Sequence, residues 1–232
     1  MLSPEELAAL YLSAKVATFA SMMCLPFAIG LAWVLARYEF RFKFVLEALL
    51  QMPMVLPPVV LGYILLVLFG NQGVIGQYLS QLGIQLAFDW KGAVLASMIV
   101  AFPLMVQPIR LSFQMINCQL EQVAASLGAS PLKVFYTISL PLALPGILIG
   151  SILCFSRSLG EFGATITFVG NIPNETRTIP IAIYSLLQQP DGEYMAMRLV
   201  ILSLILAFGA LLANAYILQK YQRKLGAKNA AM

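Results

Sequence analysis

Long apolar stretches, separated by short polar ones, constrain this chain more than any other feature. A helix needs about 20 consecutive apolar residues to cross a bilayer. Stretches of that length cover residues 7–36, 45–69, 92–113, 140–159 and 198–218. Only 10% of the 232 residues are charged, whereas a soluble domain averages roughly 25%. The sequence therefore predicts an all-α polytopic membrane protein, with residues 1–232 forming one transmembrane domain of five spans.

Prolines interrupt the second of these stretches. Pro53, Pro57 and Pro58 all fall inside it, and each removes a backbone donor and clashes with the preceding helical turn. Irregular backbone at membrane depth is tolerated only where it packs in protein or lines water. The second span is therefore expected to break, and Pro57 and Pro58 are candidates for the wall of a pathway.

Residues 161–197 hold no stretch that is clearly long enough to span. Ala164–Val169 is apolar, but it is far shorter than the roughly 20 residues that a crossing needs. Thr178 and Pro180 are typical of a helix start and predict a short helix through Gln189. We expect a re-entrant or surface loop outside the membrane, with a sixth span as the alternative. The other external loop, 70–91, should carry a short interfacial helix, because apolar residues recur there at helical spacing.

The distribution of Lys and Arg predicts the orientation. If the N-terminus lies outside, the inner segments hold nine of the 14 basic residues. The opposite orientation inverts this bias, against the excess of basic residues that cytoplasmic loops carry. The loop at 117–138 and the C-terminus should therefore face the cytoplasm. Since the basic residues lie mostly at membrane ends, the net charge of +4 calls for no nucleic acid partner.

The composition argues against several classes of active site. The chain has no histidine, which excludes Ser-His-Asp catalysis and histidine-ligated metals. The three cysteines are isolated, so no metal site is expected. A nucleotide-binding P-loop needs a Gly-Lys pair, and the sequence contains none. We expect a chain that is not an enzyme and binds no cofactor itself. A secondary transporter, the alternative from another class, would usually carry ion-coupling carboxylates at the midplane.

The loop at 117–138 combines an apolar face with helix-breaking residues. Leu120, Ala124, Leu127 and Pro131 form one apolar face. Gly128 can take the left-handed conformation that stops a first helix, and Ser130 can cap a second one. Two short helices set at an angle could dock into a cleft of another protein; an ordinary interfacial hairpin is the alternative. The candidate docking residues are Glu121, Ala124, Ala125, Ser126, Leu127, Gly128, Ala129, Ser130 and Pro131.

Charged and hydroxyl side chains gather at the outer end of the fourth span. Arg157 and Glu161 are four residues apart, which places them on one helix face where they can pair. The pair could steady the bend at Gly160–Gly163, or Arg157 could attract a passing oxyanion; we favour the structural role, because Glu161 would neutralise the arginine. Hydroxyls could donate hydrogen bonds to an oxyanion or satisfy helix backbone. The pathway or gate candidates are Pro57, Pro58, Ser156, Arg157, Ser158, Glu161, Thr165 and Thr167.

The loop resembles a known family. Glu121, Ala124-Ala125 and Gly128, followed by Ile138-Ser139-Leu140-Pro141, are similar to the EAA coupling loop of the permeases of binding-protein-dependent ABC importers. Gln122-Val123 stand where many members carry Ala-Ala. Further segments, among them LPPVVLGYILL and SRSLGEFGATITFVGNIPNETRTIP, resemble the permease subunits of molybdate transporters. Sulfate/thiosulfate permeases share the RxLGEFGA theme but are usually longer.

The resemblance implies a fold, partners and a cargo. The fold would be that of a type I ABC importer permease with five core helices, in a homodimer within the bacterial inner membrane. Two copies of a cytoplasmic ATPase would bind ATP and Mg, and a periplasmic oxyanion-binding protein would deliver the substrate. Molybdate is the expected cargo, with sulfate, thiosulfate or tungstate as alternatives.

Overall fold

The chain folds into eleven α-helices over the residues that the structure describes. The computed structural model describes residues 3–229, without the side chains of residues 213, 214 and 217–229. The helices are α1 Pro4–Arg37, α2 Lys43–Val55, α3 Pro58–Phe69, α4 Gly76–Gln81, α5 Trp90–Met115, α6 Cys118–Ser126, α7 Pro131–Val134, α8 Leu140–Leu159, α9 Gly163–Val169, α10 Ile179–Leu187 and α11 Glu193–Asn229. This confirms the all-α expectation.

Helix α1 begins with a capping box. The Ser3 hydroxyl accepts a hydrogen bond from the Glu6 backbone N–H, and the Glu6 carboxylate accepts one from the Ser3 N–H. These bonds satisfy two of the donors that a helix start leaves free. The helix continues through Pro26 and ends at Arg37. Its buried face is rich in small residues, which allow close helix packing in a membrane.

The second span breaks where the prolines predict it. Helices α2 and α3 are separated by Leu56 and Pro57, and their axes differ by 109°. The 13 residues of α2 include none that is buried, so this helix lies at the edge of the bundle. When the bent pair is counted as one span, the described residues hold five candidate spans. Neither α9 nor α10 is long enough to make a sixth.

Helix α5 lies at the centre of the bundle and packs against α1, α8 and α9. Val100, Met105 and Phe113 are among its fully or nearly fully buried residues. Two apolar clusters meet along this helix. One joins it to α1, α3 and α9, and the other joins it to α1 and α8.

Within 161–197, helix α9 is part of the core. Phe168 and Val169 are fully buried against α1, α3 and α5, which fits a re-entrant segment and not a surface one. A Cβ on Gly62 would lie 2.5 Å from the carbonyl oxygen of Ala164, so α3 and α9 cross at a distance that only glycine permits. The loop at 70–91 contains a short helix, α4, as predicted.

Helix α10 begins where Thr178 and Pro180 predict, but its cap differs from the expectation. The Thr178 side chain makes no capping hydrogen bond. Instead the Ile179 N–H donates to the Ser13 hydroxyl of α1 at 2.7 Å, so a neighbouring helix supplies the cap. The helix ends at Leu187, two residues before the predicted Gln189.

Candidate functional site

The loop between α5 and α8 has the turn that the sequence predicts. Helix α6 gives way to Gly128 in the positive-φ region, at +86°. The N–H groups of Gly128 and Ala129 donate back to Ala125 and Ala124, which satisfies carbonyls at the helix end. Nothing lies within 4 Å of a Cβ built on Gly128. The glycine is therefore required by the backbone conformation and not by packing.

The second helix of the loop also starts as predicted, but it is not a separate helix. The Ser130 hydroxyl accepts from the Lys133 N–H, and Pro131 occupies the first helical position. A π-helical turn at Phe135–Ser139 then joins α7 to α8, so one helix runs without a break from Pro131 to Leu159. The expected pair of short helices is therefore one short helix, α6, and the N-terminal end of the helix that forms the fourth span.

An exposed apolar surface covers the outside of this loop. Leu120, Val123, Leu127 and Leu132, which we call the outer apolar face, are 51–83% exposed. The predicted face contained Leu120 and Leu127 but missed Val123 and Leu132. Pro131 is exposed as expected, whereas Ala124 is half-buried. Of the small residues beside the face, Ala125 and Ser126 are exposed and Ala129 is half-buried.

Glu121 points away from the outer apolar face and into the molecule. Its Oε1 accepts from Arg37 Nη2 at 2.8 Å and from the Ser139 hydroxyl at 2.6 Å. Arg37 Nη1 also donates to Cys118 Sγ at 3.4 Å. Sequence reasoning included Glu121 among the docking residues but missed Arg37 and Ser139. The carboxylate ties α6 to the end of α1 and to the start of the fourth span.

A cavity of about 410 Å³ lies between the end of α1 and the loop. The Glu121 cluster and aromatic side chains line it. The Trp33 and Phe135 rings meet edge to face at 5.4 Å, and Phe135 also stacks on Phe113 of α5. The loop is therefore held by apolar as well as ionic contacts.

The predicted pairing of Arg157 with Glu161 is present at the other end of α8. Arg157 Nη2 lies 2.7 Å from Glu161 Oε2, and the Glu161 side chain is only 1% exposed. Its other oxygen accepts from the Ala164 N–H at 2.9 Å, at the start of α9. One carboxylate thus neutralises the arginine and fixes the bend between α8 and α9, which agrees with the structural role.

The remaining pathway candidates divide by their surroundings. Thr167 donates to the Gly163 carbonyl, as hydroxyls in membrane helices commonly do. The hydroxyl oxygens of Ser156 and Ser158 are buried and have no hydrogen-bond partner among the described residues. Thr165 is buried, whereas Pro57 and Pro58 are exposed.

The structure brings some of these candidates together. A Cβ on Gly163 would lie 2.8 Å from that of Pro58, so the start of α3 touches the start of α9. The 20 residues of α8, about 30 Å at 1.5 Å each, separate these residues from the loop between α5 and α8.

Comparison with known proteins assigns the family. The family described as binding-protein-dependent transport system inner membrane component matches residues 26–224. The molybdenum transport system permease protein ModB of Haemophilus influenzae is 51% identical over 227 residues, 97% of this chain and 99% of that relative.

Solved structures share the fold at low sequence identity. A bacterial ABC transporter that imports the acidic polysaccharide alginate matches with a TM-score of 0.76 and 17% identity, over 94% of this chain and 80% of that one. The alginate transporter in complex with an alginate pentasaccharide-bound periplasmic protein matches with a TM-score of 0.72 and 17% identity, over 93% and 78%. The fold is that of a type I ABC importer permease, and the chain belongs to the family of binding-protein-dependent transport system inner membrane components.

Proposed function

We propose that this chain is the membrane-spanning subunit of an ATP-driven importer that carries molybdate across the bacterial inner membrane. The observation that carries the proposal is the near full-length likeness to a molybdenum transport permease. Tungstate, sulfate and thiosulfate are the alternative cargoes, because these anions share the charge and tetrahedral shape of molybdate. Selectivity among them would lie mostly in a separate binding protein.

The energy for transport would come from a separate ATPase. The chain offers no P-loop, so ATP and Mg would be bound by two partner subunits. The outer apolar face supports this partner, because exposed apolar side chains gathered on one loop are a common mark of a protein interface. The loop should dock there through this face and through the exposed Ala125 and Ser126.

The cycle would be alternating access in a homodimer. A periplasmic protein delivers the oxyanion outside, ATP closes the ATPase pair, and the loop helices move with it. The N-terminus lies outside and the C-terminus inside, as the Lys and Arg distribution favours. Ser156 and Ser158, whose hydroxyls have no partner among the described residues, are the candidates for donating a hydrogen bond to the passing anion.

Uptake into vesicles tests the cargo. Proteoliposomes that contain this chain and an ATPase should accumulate molybdate with binding protein outside and ATP inside. Tungstate and sulfate are measured in parallel. Molybdate uptake without ATP would contradict the proposal. ATP-driven uptake of sulfate alone would show that sulfate, and not molybdate, is the cargo.

A matched pair of substitutions tests the docking surface. Leu127→Asp places a charge in the outer apolar face and should abolish both copurification with the ATPase and uptake. Leu82→Asp is the control, since Leu82 is similarly exposed at 74% but lies in the other loop. Equal ATPase binding by both variants would refute the assignment of the surface.

A further inference from the structure

A strip of polar residues runs along α5 and α2 near the loop between α5 and α8. Gln107, Arg110 and Gln114 recur at i, i+3 and i+7 of α5, which places them on one helix face. Both glutamines are exposed, as is Gln51 on α2. We call these four residues the polar strip. An amide exposed to hydrocarbon would lack hydrogen-bond partners at a cost of several kcal/mol, so this face is expected to meet water or protein and not lipid.

An ion pair joins the two helices at this strip. Arg110 Nη2 lies 2.8 Å from Glu47 Oε1, and the two side chains are 26% and 29% exposed. Arg110 Nε is buried and has no hydrogen-bond partner among the described residues. The guanidinium is therefore partly open to its surroundings, and its buried Nε donor is unused. Sequence reasoning missed the pair, because nothing local links residues 63 positions apart.

This pair is more easily opened than the Arg37–Glu121 and Arg157–Glu161 pairs. Glu161 is almost fully buried and is also held by α9. Glu121 has a second bond to Ser139. Glu47 makes no second hydrogen bond among the described residues, and it stands on a helix with no buried residue. Helix α2 is also bounded by the bend at Leu56–Pro57, so it can move while α5 stays in the core.

We infer that Arg110 is an anion site at the cytoplasmic mouth of the pathway, occupied in this structure by the Glu47 carboxylate. Movement of α2 withdraws Glu47, and a tetrahedral oxyanion takes its place on the guanidinium. The arginine stays paired throughout, which avoids the large penalty of an uncompensated charge at low dielectric. A planar guanidinium can bind two oxyanion oxygens at once, and the glutamine amides of the polar strip can donate to the others. This site rests on the proposed function.

Neutralising each partner in turn tests the site in the reconstituted importer. Arg110→Gln should lower the maximal uptake rate at least 10-fold while binding protein still stimulates ATP hydrolysis. Glu47→Gln should keep at least half of the uptake, because the anion no longer competes with a carboxylate. Lys43→Gln is the control, since it breaks an ion pair with Glu39 at the same membrane face and should leave uptake unchanged. Equal losses from Arg110→Gln and Glu47→Gln would mean a purely structural pair and would overturn the inference, as would wild-type uptake in both.

Thiol labelling tests the same face without disturbing the ion pair. In a Cys118→Ser background, Gln107→Cys and Gln114→Cys should react with a membrane-impermeant methanethiosulfonate applied from the cytoplasmic side, and molybdate should slow the reaction at least threefold. Leu204→Cys is the control; Leu204 is 63% exposed on α11 and should not react. Unreactive thiols, or a disulfide between two copies, would overturn the inference. If the unmodified importer takes up no oxyanion, the proposed function itself fails, whereas normal uptake with unreactive thiols refutes only this site.

Discussion

Substitution of Gly128 isolates the energetic cost of one backbone conformation. The residue has a φ of +86°, and a Cβ there would touch nothing within 4 Å. Steric packing therefore contributes nothing, and the whole cost of Gly128→Ala is that of the left-handed region, about 1–2 kcal/mol. Gly128→Val should cost more, because a β-branched side chain resists positive φ. Gly128→Asn should cost less, since asparagine tolerates this region.

Gly160 provides the control for these substitutions. A Cβ on Gly160 also has nothing within 4 Å, but its φ is −91°. Gly160→Ala should therefore be neutral or stabilise by up to about 1 kcal/mol.

Thermal unfolding of the purified chain measures the difference. A chain of this size loses about 2–4 °C per kcal/mol, so Gly128→Ala should unfold roughly 2–8 °C below wild type. Gly128→Val should also hydrolyse ATP with little uptake in the reconstituted importer, because the loop no longer moves α8. Equal melting temperatures for the two alanine variants, or full uptake by Gly128→Val, would refute the reasoning.

Three further changes probe the ties between elements. Arg37→Gln should destabilise the chain by about 1–3 kcal/mol, because it leaves the half-buried Glu121 with one partner. In a denaturation assay, the double change Arg37→Glu with Glu121→Arg should restore part of that lost stability. Gly62→Ala should cost about 1–3 kcal/mol by overpacking the crossing of α3 and α9, and wild-type stability would contradict the close contact. Glu161→Gln should cost a similar amount and raise hydrogen exchange at the start of α9, and unchanged exchange would show that this carboxylate does not hold the bend.

Local features were predictable from the sequence because neighbouring residues alone determine them. The break at Pro57 and Pro58 follows from a missing donor and a steric clash within one turn. The positive φ of Gly128 and the cap at Ser130 follow from residue type and spacing. The pairing of Arg157 with Glu161 needs only the helical period.

Contacts between distant elements were not predictable in this way. Arg37 and Glu121 lie 84 residues apart, so their ion pair exists only because the bundle brings α1 to the loop. Glu47 and Arg110 meet for the same reason. The burial of α9 depends on packing against α3, and its seven residues carry too little periodicity to show which face is covered. The sequence also offered no sign of the π-helical turn that makes the loop continuous with the fourth span.

That continuity means that the loop end and the far end of the fourth span move together as parts of one helix. Its 29 residues from Pro131 to Leu159 measure about 44 Å at 1.5 Å per residue, and a tilt of about 10° would displace one end relative to the other by roughly 8 Å. A partner bound at the Pro131 end would thereby act on the Leu159 end through one continuous helix, without a relay of intermediate contacts. The displacement of the far end then depends on where this helix pivots against α5.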